Sequence, residues 1–372
     1  MSNLTAAVIG CGRMGAFTSP SVREYGPECF LPSAHAEAIQ QADGISLEIL
    51  CDPNEDALHR AAEHYGGISQ RYRNYVDFLD ELYPADIVTI ATRTIGRAQM
   101  IADCIESGSR ALHVEKPICN SVAELERLET LLARDDVFVT LGAVRRHFAI
   151  YKEAVARAQS GIYGDLLETS AEFGARTLYW SHPHTVDLIL LAAAGAKVEA
   201  VQARLGEVER DGSRIVNDPV VMGATIWFEG GFAGHITRIP GTDFRLACQT
   251  AQIAVTSNGH SLWLSGRPKP DPDASGDTKP AGANPYHEPT RLEFNPPDQP
   301  QGALAPILQL ADCLKGSETA RVANAALKRD IVIGQRILFA IVQSHFEGGR
   351  PVTLDEIDPD LFIEGRTGDA PA

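Results

Sequence analysis

The sequence predicts an α/β protein: a doubly wound parallel sheet at the N-terminus, then a second α/β domain whose sheet is largely antiparallel. Three observations predict it. Through residues 1–145, short apolar runs alternate with helical patterns, the signature of strand–helix–strand units. The first of those runs leads straight into Gly10-Cys11-Gly12-Arg13-Met14-Gly15. In residues 146–372 the strands are longer and follow one another through tight turns such as Glu229-Gly230-Gly231, as in an antiparallel sheet. The domain boundary is therefore placed at 145/146.

Residues 6–9 form the first strand. In the glycine run after it, Gly10 allows a tight turn, Gly12 lets a pyrophosphate approach and Gly15 permits close packing. The pyrophosphate then sits on a helix N-terminus. Residues 17–33 contain prolines and a glycine without a clean period, and read as a loop insertion before a helix at His35. Strand two, 47–51, ends at Asp52, placed to accept hydrogen bonds from an adenosine ribose. Asp52 before Pro53 also reads as a helix N-cap with proline at the first helical position. Asn54 and Glu55 follow, with no Arg or Ser to hold a 2′-phosphate, so NAD is expected rather than NADP.

A helix at 55–65, a strand at 86–91 ending in Thr92-Arg93-Thr94, and a helix from about 95 to 106 come next. The stretch that organises the chain is Ala111-Leu112-His113-Val114-Glu115-Lys116-Pro117. Its apolar run reads as a buried strand, and the charged pair and proline push Lys116 into a loop at the carboxyl end of the sheet, where ligands bind. Ser121 to Glu124 is a capping-box pattern, and 137–142 is a further strand ending near Arg145-Arg146. After a helix at 151–159, strands are expected at 166–173, 198–209, 220–228, 232–239 and 245–257. Residues 266–300, rich in Pro, Gly and Asp, read as a long loop, and helices at 302–315 and 320–347 follow.

Bulk properties exclude several classes. A formal net charge of −16 over 372 residues argues against nucleic acid or anionic membrane as a partner. The seven cysteines are scattered without a C-x-x-C pair, which fits reduced thiols rather than a disulfide framework or zinc site. The longest apolar run, near 188–196, is far short of a membrane span, and residues 1–5 carry no targeting signature. A cytoplasmic protein is expected.

The glycine run, the Thr92 strand end, Glu115-Lys116-Pro117 and Arg145-Arg146, in this order, resemble the Gfo/Idh/MocA oxidoreductases, the family of glucose–fructose oxidoreductase and inositol dehydrogenase. The resemblance covers nearly the whole chain. It implies an N-terminal Rossmann domain, a C-terminal α/β domain whose open sheet mediates homo-oligomers (dimer or tetramer), and NAD as cofactor. The cofactor contacts it implies are Gly10, Gly12, Arg13, Met14, Asp52, Thr92, Arg93, Glu115 and Lys116, with Lys116 also hydrogen-bonding the reacting hydroxyl. The family's Asp-x-x-x-His-x-x-Asp motif matches Trp180-Ser181-His182-Pro183-His184-Thr185-Val186-Asp187. By resemblance His184 is the general base. Trp180 stands where the first Asp would orient it and raise its basicity.

After the Thr92 strand the family has Pro and later His, where this chain has Arg93 and Arg97. With Arg145, Arg146 and Arg176 they point to an anionic group on the substrate. Arg93, Arg145, Arg176, Trp180, His182 and Asp187 are the expected substrate contacts. His182, His184 and Asp187 also spell H-x-H-x-x-D. No third histidine follows at a matching spacing, so no metal is expected. The expected activity is NAD(H)-dependent oxidation or reduction of a sugar, cyclitol or anionic sugar derivative, with Lys116 and His184 handling the hydroxyl proton. Two alternatives are an NAD-dependent glycoside hydrolase working by transient oxidation at C3, and a non-catalytic NAD-binding regulator.

Overall fold

Six short strands build the first sheet: β1 (Leu4–Ile9), β2 (Ile45–Cys51), β3 (Gln70–Tyr72), β4 (Ile87–Ile90), β5 (Ala111–Val114) and β6 (Phe138–Leu141). The computed structural model describes residues 3–80, 85–268, 288–294 and 300–365. All six strands pair in parallel, in the order β3-β2-β1-β4-β5-β6. Every residue of β4, β5 and β6 is buried, because helices cover both faces of a doubly wound sheet. The connecting helices are α1 (Pro20–Tyr25), α2 (His35–Gln41), α3 (Glu55–Tyr65), α4 (Tyr75–Leu79), α5 (Arg97–Glu106) and α6 (Val122–Leu132). Strand order reverses between β1 and β4, which opens a crevice at their carboxyl ends.

The expected insertion interrupts the first helix itself. Ala16 and Phe17 donate to the Gly12 carbonyl in a single turn, and the chain then departs. On its return, His35 N–H bonds the Met14 carbonyl at 2.9 Å and Ala36 N–H the Gly15 carbonyl at 2.8 Å, resuming the ladder. The inserted stretch is not structureless: it holds α1, with Ser19 as N-cap and proline in its first turn, and a 3₁₀ turn at Glu28–Phe30. Thr18 closes its neck, donating to Glu37 at 2.6 Å and accepting from Ser33 and Ala34 N–H at 3.1 Å.

The second sheet is built from β7 (Leu166–Glu172), β8 (Val198–Leu205), β11 (Val221–Phe228), β12 (Ala233–Thr237), β13 (Asp243–Cys248), β14 (Ala251–Thr256), β15 (Ser261–Gly266) and β16 (Thr290–Leu292). The short β9 (Arg210–Asp211) and β10 (Arg214–Ile215) pair instead with β17 (Phe362–Ile363). Only β7 and β12 pair in parallel in the larger sheet. The expected strand at 245–257 is a hairpin. Gln249 and Thr250 turn the chain by bonding the carbonyls of Asp165 and Tyr163, a break hidden between two apolar runs. The strand expected at 198–209 stops at Leu205, before Gly206. Strands β3 and β15 had no clear sequence signal, and β16 lies inside the expected 266–300 loop. The rest of that loop, residues 269–287 and 295–299, lies outside the described residues.

Helices α7 (Ala149–Gln159), α8 (Leu178–Ala193), α9 (Leu304–Leu314) and α10 (Glu318–Phe346) complete the architecture. Helix α10 returns to the first sheet and covers its β6 edge. The Asn324 side chain accepts from Val139 N–H at 3.2 Å and donates to Val139 C=O at 2.9 Å, acting as a one-residue strand. Lys328 caps the Arg134 and Val137 carbonyls beside it. Among the described residues no helix is long and apolar enough to cross a membrane.

Candidate active site

The glycine loop is shaped by three different steric demands. Gly10 sits at φ +98°, and a Cβ there would lie 2.8 Å from the Ala91 carbonyl oxygen. A Cβ on Gly15 would lie 1.6 Å from the Gly10 carbonyl oxygen, so the loop closes on itself only with glycine. At Gly12 nothing stands within 4 Å, which leaves the backbone open to a ligand. These are the conditions a dinucleotide pyrophosphate requires. Arg13 and Met14 are exposed on the same loop. Asp52 braces it from the tip of β2, accepting from Cys11 N–H at 2.7 Å and from Asn54 N–H at 2.8 Å. The N-cap of α3 is Asn54, not Asp52: its side chain accepts from Ala57 N–H at 3.1 Å. A polar residue two positions further on suits the first turn better, which leaves Asp52 at the crevice.

The loop after β5 is held from below. Arg97, buried at the start of α5, donates to the carbonyls of Glu115 (3.0 Å), Pro117 (2.5 Å) and Thr92. One guanidinium thus ties the exits of β4 and β5 together, and burial lowers its pKa to about 10. Glu115 is turned inward. Burial alone would raise its pKa, but His35 at 3.3 Å, Lys116 and Arg97 bring it down to about 2. Gly142 makes room for that carboxylate, since a Cβ there would lie 2.5 Å from Oε1. His113, buried beside His35, has its Nδ1 2.9 Å from Thr140 Oγ1 and is driven down to about 3 by burial.

Lys116 emerges half-buried from this base and docks on the first turn of α8. Its Nζ donates to the Trp180 carbonyl at 2.6 Å and lies 4.5 Å from the centre of the Trp180 ring. Burial lowers its pKa from 10.5 to about 8, opposed by Glu115 and reinforced by Arg97 and Arg145. Trp180 and His184 are four residues apart on one helix, so the ammonium stands one turn from the imidazole. Burial, then Arg145 and Lys116, hold His184 well below its ordinary range, so it is neutral. Its Nδ1 has no hydrogen-bond partner among the described residues.

The other two members of this motif are engaged elsewhere. His182 is fully buried, with Nδ1 at 3.0 Å from Thr185 Oγ1 and Nε2 at 3.2 Å from the Arg176 carbonyl. Asp187 pairs with Arg146 at 2.8 Å, and the same guanidinium reaches Asp330 on α10 at 3.0 Å. Burial raises the Asp187 carboxyl to about 6 despite Arg146.

Residues 4–143 match the sequence model of the oxidoreductase family with an NAD-binding Rossmann fold, GFO_IDH_MocA. The N-terminal domain is thus similar in sequence to the NAD-binding domain of the Gfo/Idh/MocA oxidoreductases. No curated protein sequence matches it. Solved structures agree in fold over almost the full length. An Agrobacterium radiobacter oxidoreductase in complex with NAD⁺, L-tartaric acid and magnesium is 16% identical with a TM-score of 0.66, over 95% of this chain and 99% of that one. The WlbA dehydrogenase of Bordetella pertussis, in complex with NADH and UDP-GlcNAcA, is 17% identical with a TM-score of 0.65, over 94% and 100%. An aldose–aldose oxidoreductase of Caulobacter crescentus, complexed with glycerol, is 15% identical with a TM-score of 0.68, over 94% and 99%.

The arginines divide by role. Arg97 and Arg146 are internal struts, as described. Arg145 is buried, lies 4.9 and 5.1 Å from the ring centres of Phe30 and Phe173, and donates through Nε and Nη2 to Asn258 Oδ1 at 2.9 and 2.8 Å. It acts on both Lys116 and His184 electrostatically. Arg93 is exposed on the loop after β4, and Arg176 is exposed ahead of α8 with Nε donating to the Phe173 carbonyl at 3.3 Å. Thr92 contributes its carbonyl to Arg97.

Sequence reasoning missed Asp218. It accepts from Tyr179 and Trp180 N–H at 2.7 and 3.0 Å, capping α8, and its charge acts on Lys116. It sits in the turn before β11, with no periodic relation to α8, so only the fold connects them.

Proposed function

We propose that this protein is an NAD(H)-dependent oxidoreductase that moves hydride to or from a carbinol carbon of an anionic sugar derivative. The observation that carries the reading is Lys116 docked on Trp180, one turn of α8 from a neutral His184. When bound, NAD supplies the hydride acceptor. Lys116, brought down to about 8, then takes the hydroxyl proton in oxidation and returns it in reduction. His184 holds the same hydroxyl from the helix side. Asp218 stands in for the carboxylate lost at Trp180, acting on Lys116 rather than on the histidine.

Asp52 at the β2 tip favours a free ribose 2′-hydroxyl over a 2′-phosphate, hence NAD over NADP. Arg145 is the best-placed guanidinium for a substrate anion, ahead of the exposed Arg93 and Arg176. Two of the structural relatives were crystallised with L-tartaric acid and UDP-GlcNAcA, which supports an acidic polyol or sugar. Apolar side chains left open on the second sheet, Leu167 and Met222, support a homo-oligomer. The test is a screen of neutral and acidic sugars and their glycosides, following NADH absorbance and aglycone release together. Reduction of NAD without release supports the dehydrogenase, and release without net NADH points to redox-assisted glycoside cleavage. Neither signal, with NAD bound, overturns the enzyme reading.

A further inference from the structure

The inserted segment and the second sheet line an open pocket of about 540 Å³ that Lys116 and His184 do not account for. Tyr25, Gly26 and Pro27 form one wall. The other comprises Gly241, Thr242 and Asp243 at the start of β13 with Ser257, Asn258 and His260 from the β14–β15 turn. Its lining pairs an exposed aromatic side chain with amide, carboxylate, hydroxyl and imidazole groups. Tyr25 is 78% exposed, so its ring face is accessible to a ligand. Flat aromatic faces with surrounding hydrogen-bonding groups suit a pyranose ring, whose C–H face stacks while its hydroxyls bond the rim.

The backbone of this wall is under strain. Ser257, Asn258 and Gly259 are consecutive residues in the left-handed region, at φ 51°, 61° and 98°, and the first two carry side chains. Such outliers persist where surrounding structure over-determines them. Here Ser257 N–H bonds Asp243 Oδ1 at 2.9 Å and Asn258 N–H bonds the Thr242 carbonyl at 2.9 Å. The result presents the Asn258 oxygen to both Nε and Nη2 of Arg145. The pocket is thus one side chain away from the guanidinium that acts on Lys116 and His184.

We propose that this pocket is an outer carbohydrate subsite, taking the second sugar unit of a glycoside whose first ring lies at Lys116 and His184. It rests on the sugar-oxidoreductase reading and narrows it: the preferred substrate is larger than a monosaccharide. The experiment compares methyl glycosides with disaccharides sharing the same reacting ring, by initial rates of NADH formation, for wild type, Tyr25→Ala and His260→Ala. The wild type is expected to show a KM for the disaccharide roughly ten-fold below that for the methyl glycoside, an increment typical of a few added contacts. Tyr25→Ala should raise the disaccharide KM to the methyl glycoside value, with kcat and the methyl glycoside KM unchanged. His260→Ala should move in the same direction, so the inference does not depend on one variant folding. Equal KM values for both substrates, unaltered by either variant, overturn the subsite and leave the oxidoreductase reading standing. No turnover of any sugar by protein that still binds NAD overturns both.

Discussion

The loops that crown the first sheet and the helix that faces them position their functional groups in different ways. The glycine loop and the Lys116 loop are fixed through backbone atoms: a carbonyl 1.6 Å from where a Gly15 Cβ would lie, and three carbonyls gathered by Arg97. Helix α8 instead offers a row of polar side chains and engages most of them in packing. His182 is enclosed, Asp187 is tied to Arg146, and His184 alone retains an unpartnered ring nitrogen beside Lys116. Glycine motifs encode backbone geometry directly and transfer well from sequence. A helical motif of ionisable residues encodes only spacing, and tertiary partners decide which member stays available.

The largest effect should come from the junction of the two regions. Lys116→Ala is expected to lower kcat by about 10²–10⁴-fold, the usual worth of a positioned proton-transfer group, with NAD affinity held within a few-fold. Calorimetric titration beside steady-state kinetics checks both halves. Because burial lowers Lys116 to about 8, kcat/KM for oxidation should rise with pH up to about 8 and then level. A plateau reached near 10.5 would show that the lysine is not desolvated in the working enzyme.

The comparison within α8 is sharpened by two substitutions three residues apart. His184→Ala should lose kcat with little change in denaturant midpoint. Asp187→Ala should leave Arg146 with Asp330 alone and cost about 1.5–3 kcal/mol of stability, the worth of a hydrogen bond to a charged group. If Asp187→Ala is as stable as wild type while His184→Ala unfolds early, the division of labour along the helix is wrong.

Substrate charge comes next in size. Arg145→Ala should raise KM for an acidic sugar by roughly ten- to a hundred-fold and for its neutral analogue far less. Matched Arg93→Ala and Arg176→Ala variants show whether the exposed arginines share the task. The smallest effect is expected at Asp52, where alanine should weaken NAD about ten-fold through one lost charged hydrogen bond and a loosened glycine loop. Equal affinity for NAD and NADP in the wild type would remove Asp52 from cofactor choice.

Much of the first region was legible in advance, for a physical reason. Strands β1, β4, β5 and β6 are apolar runs with glycine, threonine or lysine at their exits, so both the sheet and its working edge were visible. The insertion was visible from its prolines, but not its return to the helix ladder at His35, because hydrogen bonds between residues 21 apart in the chain leave no periodic trace. The arginines show the limit most clearly. Arg97, Arg145 and Arg146 look alike in sequence, yet one holds three carbonyls, one is bound to Asn258 with its charge acting on Lys116 and His184, and one joins α8 to α10. Asp218 and Asn258 come from turns of the second sheet and reach the site only once that sheet has formed.

The amide of Asn324 has a consequence for the order in which the molecule can be completed. It seals the raw edge of β6 across 185 residues of chain, and Lys328 reinforces it one turn later. As the chain leaves the ribosome, its first sheet is written early but keeps an unsatisfied margin until α10 has emerged. Contacts of such long sequence separation slow folding, because the intervening loop must close before they form. During that interval the exposed β6 margin is the place where a stray strand from another nascent chain could add. The wrapping helix therefore works as a late closure, and the protein passes from vulnerable to finished only when the polypeptide has come back to where it started.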